Sequence, residues 1–453
     1  GKGANSVAGN TVLGESALDA GVTGGNNTAI GKNALGSNTG GVNNVAVGRE
    51  ALQSNTTAAY NVAVGDQALQ ANTTGTQNNA IGGMALFANT TGNNNIAIGI
   101  ESVKQNTTGA NNIGIGAGAL QANTTADNNT AVGHQALNDN TTGAHNTAVG
   151  ANALDASTTA GECTAVGYGA LGSNTTGNAN TAVGYNALGS NTTGTLNTAI
   201  GWDALFGNVD GNYNNALGRE ALQNNTSGSY NNAFGFRALE ENTTASNNSA
   251  FGHQALTANT TGGNNTAFGY AALQANTTVS NCTAVGYVAL ENNTTGTSNT
   301  AVGAAALDAN TTGQQNNAFG HNSLGQNTTG SYNVAIGEQS LNANNGSDNT
   351  ACGHRAMQAN TTGQSNTAVG ANALDANTTG DYNVAMGVNA LGACTTGNKN
   401  VAIGYGSLLD ATTARYQVAI GYEALANQTT AQSGAVAIGH QCLYNSNVGD
   451  SLV

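Results

Sequence analysis

Proline is missing altogether from this 453-residue chain. That fits a backbone in which nearly every N–H joins a hydrogen-bond ladder, since proline has no N–H to give. Charge is scarce too, at 7% of residues, and positive charge scarcest: 9 Lys and Arg against 23 Asp and Glu, for a net charge of −14. With no basic stripe to neutralise phosphates, the composition argues against nucleic acid as a partner and against contact of this segment with an anionic membrane surface. No apolar run approaches the roughly 18–20 residues needed to span a bilayer. The opening Gly1-Lys2-Gly3 has neither Met nor a signal-like run after it, so the chain reads as a segment of something longer. Low charge and few aromatics, 5% here, also mark disordered chains. Disordered chains do not keep apolar residues in strict register, and this one does.

Cysteine is sparse and scattered. Cys163, Cys282, Cys352, Cys394 and Cys442 fall in five separate repeats, with no CxxC or Cys/His spacing of a zinc site. They read as small buried side chains. In a stack advancing about 4.8 Å per coil, Cys163 and Cys282 would lie too far apart for a disulfide.

What the chain has instead is one phrase, repeated. Asn180-Thr181-Ala182-Val183-Gly184 and the residues that follow return as Asn197-Thr198-Ala199-Ile200-Gly201, and so on from end to end. The anchor glycines run from Gly14 to Gly337 in steps of 17. One step of 16 leads to Gly353, and one of 18 separates Gly421 from Gly439, giving 26 anchors in all. Positions are counted from the anchor. Position −2 is Ala in 24 of 26 units, position +4 is Leu in 24 of 26, position −4 is nearly always Asn, and position +7 usually opens Asn-Thr-Thr-Gly.

A helix fits poorly, because Asn-Thr-Thr-Gly interrupts within a few residues of Ala-Leu. The period predicts an all-β fold: a parallel β-solenoid, or β-roll, of about 26 coils, one continuous array over 1–453. Two short strands per coil are expected, one before the anchor and one around Ala-Leu, with Asn ladders along the stack. Stacked at about 4.8 Å, such an array would run to roughly 125 Å. On the first strand, positions −3 and −1 share a face and trade volume, as in Asn232 with Phe234 and Ser249 with Phe251. The opposite face holds the Ala and Asn rows. Two packed faces on so thin a roll imply packing against another copy of the chain.

The units Asn333-Val334-Ala335-Ile336-Gly337, Asn400-Val401-Ala402-Ile403-Gly404 and Ala435-Val436-Ala437-Ile438-Gly439 carry a resemblance. The phrase resembles the head repeat of trimeric autotransporter adhesins, with its Asn-Ser-Val-Ala-Ile-Gly-like core. It is also similar to repeats of phage tail fibres and other long surface fibres. The unit here is longer than the usual adhesin-head unit by its Asn-Thr-Thr-Gly insertion. The resemblance implies a left-handed β-roll, three chains side by side, and an extracellular, cell-surface or virion-fibre location. Association end to end into a filament is the other assembly expected.

No catalytic constellation recurs, so the expectation is a non-enzymatic protein without cofactor or metal. Five histidines, His134, His253, His321, His354 and His440, directly follow an anchor glycine, which reads as one solvent-facing row. Asn-Thr-Thr matches the glycosylation acceptor, but here it reads as a turn and ladder element. An ice-ordering solenoid is a further alternative, although the paired Thr are adjacent rather than spaced Thr-x-Thr. The candidate ligand-binding residues are the +1 row: Tyr168, Tyr185, Trp202, Arg219, Phe236, His253, Tyr270 and Tyr287. A strip of rings can stack on sugars or dock a surface receptor. It can also serve as a ladder that stiffens the stack.

Overall fold

The structure is a computed structural model, in which residues 7–428 and 433–445 are described. Those residues hold 26 three-residue strands and no helix. The chain divides into two compact units, Gly1–Ser229 and Tyr230–Val453. The first contains β1 (Thr11–Leu13) to β13 (Asn215–Leu217), the second β14 (Asn232–Phe234) to β26 (Val436–Ile438). Each is a parallel β-solenoid built on the 17-residue coil. Strands pair in register with the coil above, as in β11 (Thr181–Val183) on β12 (Thr198–Ile200): Thr181 on Thr198, Ala182 on Ala199, Val183 on Ile200. β-Branched residues before the anchor favour this pleated, half-buried surface.

The expected second strand does not appear among the described residues of either unit. Ala-Leu lies in a run of turns, because positions +2 and +4 take left-handed backbone angles: Asn186 has φ 50° and Leu188 φ 52°. A closed coil this short has to reverse direction more than once, and an extended strand cannot do that. The left-handed angle costs a leucine about 1–2 kcal/mol. Full burial of its side chain returns about 1.5–3 kcal/mol, and Leu188 N–H still donates to Ala204 O at 3.0 Å. Leu at +4 and Ala at −2 and +3 form the interior of the coils, fully buried at Leu188, Ala182 and Ala187.

Two asparagine ladders run through that interior. At position −4, Asn180 Oδ1 accepts from the Asn197 backbone N–H at 2.9 Å, and its Nδ2 donates to Gly194 O at 2.8 Å. At position +7, Asn191 Nδ2 donates to Asn174 Oδ1 at 2.7 Å and to Gly194 O at 3.0 Å. Both ladders therefore converge on one carbonyl per coil and occupy both its lone pairs. The Asn-Thr-Thr side chain is thus buried, with its amide nitrogen committed twice. The turn and ladder reading describes it; a glycan on that nitrogen has no room in the folded coil.

Breaks in the ladders have local causes. Ser157 replaces Asn at +7 and leaves Asn140 Oδ1 and its own Oγ buried without partners. Cys163 replaces Asn at −4: its Sγ lies 3.4 Å from Gly177 O, a weaker contact than the amide makes elsewhere. Burial pushes the Cys163 and Cys282 thiols up, and that of Cys394, a +7 replacement, to about 11. These three thiols should stay unreactive until the chain unfolds. Cys163→Asn restores an acceptor for the Asn180 N–H and a full donor to Gly177 O. It should raise stability by about 1 kcal/mol in chemical denaturation.

The 16-residue step is absorbed by a side chain. In a regular coil Thr311 N–H and Oγ1 both donate to Thr328 O, each at 3.0 Å. One coil on, where Asn344-Asn345-Gly346 replaces Asn-Thr-Thr-Gly, Thr328 N–H and Oγ1 donate instead to Asn345 Oδ1, at 2.8 and 2.7 Å. The asparagine side chain stands in for a carbonyl of the shortened loop. Asn345→Ala should cost about 1 kcal/mol and speed hydrogen exchange at the Thr328 amide, while Leu interior amides stay protected.

Candidate ligand-binding face

The +1 row owes its place to the anchor glycine. Gly184 has φ 140°, in the region favouring glycine, and a Cβ there would lie 2.4 Å from Gly201 O. The chain turns at this point and sets residue +1 outward. The next N–H then pins it: Asn186 N–H donates to Tyr168 O at 2.9 Å, Asp203 to Tyr185 O at 3.0 Å and Glu220 to Trp202 O at 3.0 Å. The row is held rung by rung through its backbone, whatever the side chain.

In the first unit this brings Tyr168, Tyr185, Trp202 and Arg219 together. Tyr168 and Tyr185 stack with centroids 5.5 Å apart, Tyr185 and Trp202 at 6.3 Å, and the Arg219 guanidinium lies 4.7 Å from the Trp202 ring centroid. Arg219 also binds Glu220, at 2.8 Å from Nη2 to Oε1. Burial and the neighbouring Glu220 carboxylate hold the Asp203 carboxyl above the usual range. In the second unit the row is Phe236, His253, Tyr270 and Tyr287. Its successive centroids lie 5.0, 5.3 and 5.4 Å apart, the first pair tilted and the other two stacked. All eight residues of the sequence strip thus lie in ladders, four in each unit.

No family model and no curated protein sequence matches this chain.

The rings stack on one another, and that changes what the strip offers. Inner faces are covered by the neighbouring rung, so ring edges point to solvent, with open faces left only where a ladder ends. A third ladder of the same column, Tyr405, Tyr422 and His440, escaped the sequence reading; its centroids are 5.3 and 5.2 Å apart. Following the +1 column to the end of the chain would have found it. The five +1 histidines are all exposed. Among the described residues no group of three or more His, Cys, Asp and Glu could hold a metal ion.

A second surface comes from the strands. Positions −3 and −1 point outward, and no charged residue occupies either position in any of the 26 strands. In the single chain this face is half-exposed: Val149 and Ile200 are each 38% accessible, Phe268 56%. The two-faced packing expected from sequence is therefore present on the Ala side within the chain, while the other side is open. On it Phe234 and Phe251 stack at 4.7 Å, and Phe251 and Phe268 at 5.8 Å.

Proposed function

We propose that this chain is a structural, non-enzymatic segment of an extracellular surface fibre. Its uncharged strand face packs against further copies of the chain, three side by side by the resemblance, and its ring ladders make adhesive contacts with glycan or a surface receptor. A virion-fibre shaft is the same reading in another setting. The observation that carries it is the strand face: in a chain with net charge −14, these outward positions hold no charge in any coil and are mostly Val, Ile, Leu, Phe and Thr. Apolar surface on this scale is what association buries. Light scattering on the purified chain tests it. A mass of three chains is expected, falling to one when Val132, Val149 and Val166 become Glu; a monomeric parent chain rules the packing out.

A second reading has one observation in its favour. Thr130, Thr147, Thr164, Thr181 and Thr198 line up in register beside Val132, Val149, Val166, Val183 and Ile200 on one strand face, a regular array of hydroxyls and methyls of the kind that orders water into ice. The Asn-Thr-Thr pairs form no such face, since their first Thr is bound to the next coil, as Thr192 Oγ1 is to Val209 O at 3.0 Å. Thermal hysteresis, with ice crystals shaped by the protein, would favour this reading; its absence would remove it.

A further inference from the structure

We propose that each unit carries a slot one ring wide in its +1 column, His134–Ala151–Tyr168 in the first and Tyr287–Ala304–His321 in the second, and that each slot takes one pyranose of a glycan. This rests on the ring column being the adhesive element, and it moves the binding site from the flank of the ladders to their ends.

Where adjacent coils both carry rings, each ring covers the other. Tyr270 on Tyr287 and Tyr422 on His440 lie 5.4 and 5.2 Å apart with planes within 16° and 8°. A sugar binds an aromatic side chain by laying its C–H groups on the ring face, which is negative. Such faces stay open only at ladder ends. Tyr168 ends its ladder against Ala151, and Tyr287 ends its ladder against Ala304. Alanine reaches only to Cβ, so that rung contributes no side-chain atom of its own beyond the methyl group. One coil beyond it the column resumes with an exposed ring, His134 in the first unit and His321 in the second.

The two flanking rings are thus two coil steps apart, roughly 10 Å. A ring midway would sit about 5 Å from each, the spacing this column already uses between Tyr and His. A flat aromatic ligand makes its best contact at about 3.5 Å and could touch only one wall. A chair pyranose is thicker, presents C–H on both faces and touches both. Tyr and His edges stand beside its hydroxyls as hydrogen-bonding partners. The slot backbone is already fixed: Asn152 N–H donates to His134 O at 2.9 Å and Gly169 to Ala151 O at 3.1 Å. In the second unit Ala305 donates to Tyr287 O at 2.9 Å and Asn322 to Ala304 O at 3.0 Å. Binding therefore costs little backbone ordering. The third ladder has no such slot, because Val388 fills the rung before Tyr405.

Saturation-transfer NMR and calorimetry with the methyl pyranosides of glucose, galactose, mannose, fucose and N-acetylglucosamine test the slots on the whole chain. At least one glycoside should bind at two sites per chain. Ala151→Tyr with Ala304→Tyr fills both rungs, in a column that already accepts Tyr, and should weaken binding at least tenfold. Tyr185→Ala opens a new slot between Tyr168 and Trp202 and should raise the count from two sites to three. Binding unchanged in the filled variant, or a Tyr185→Ala variant that loses affinity and gains no site, overturns the slots and supports a flat adhesive strip instead. If none of the five glycosides binds the parent chain, the slots and the glycan contact both fall. Self-association, measured by light scattering, then decides the fibre reading separately.

Discussion

Gly184→Ala should destabilise the coils around it by about 4 kcal/mol or more, enough to open them while distant coils stay folded. Two effects combine. The backbone at φ 140° is a conformation that alanine adopts only under strain, and the new Cβ would stand 2.4 Å from Gly201 O, a backbone atom that cannot swing away. Gly194, in Asn-Thr-Thr-Gly, provides the control. A Cβ there also meets a backbone oxygen, Gly211 O, at 2.4 Å, but its φ lies outside the left-handed region. The chain itself places alanine at the equivalent position in other coils, at Ala58, Ala126 and Ala160. Gly194→Ala should therefore cost far less than Gly184→Ala. Hydrogen exchange resolved coil by coil would read both; equal effects would mean that the backbone angle is not the deciding constraint.

Asn191→Asp should cost about 3–5 kcal/mol at neutral pH, the penalty of an uncompensated buried charge. The amide nitrogen now donates to Asn174 Oδ1 and Gly194 O, while Oδ1 accepts from Asn208 Nδ2 at 2.7 Å. A carboxylate keeps the last contact and turns an acceptor toward two acceptors. Its folded pKa must then rise above the ordinary value of about 3.9. The penalty is complete above that raised value and fades as pH falls through it. Below about pH 3.9 the protonated carboxyl can donate again, and the gap to the parent chain should narrow. Asn191→Ser, which mimics the natural break at Ser157, should be milder and independent of pH. Denaturation at pH 7 and pH 3 separates the two; a pH-independent Asp variant would show that water reaches the ladder.

These effects are legible to different degrees in the letters of the chain. The period of 17, the anchor glycines, the inward Ala and the Asn ladder at −4 all follow from repetition, because a side chain that meets its own copy in every coil is constrained in the same way every time. The second Asn ladder was legible as a turn and ladder element, but not in its bonding partners. Its convergence with the first on a single carbonyl depends on atoms 3 and 14 residues away in sequence. The Ala-Leu segment reads as a strand in sequence because burial and left-handed turning leave the same apolar trace; nothing in the letters Ala-Leu signals a leucine at φ 52°.

The candidate site divides along the same line. Sequence alone determined which residues occupy the +1 column, since the period fixes their register, and it determined that this is a parallel all-β solenoid with positions −3 and −1 on one strand face. Tertiary structure decided that the rings of Tyr168, Tyr185 and Trp202 lie on one another's faces. The physical reason is that a repeat specifies position along the stack, whereas the plane of a side chain is set by the neighbour one coil away. Only the folded stack brings those two together.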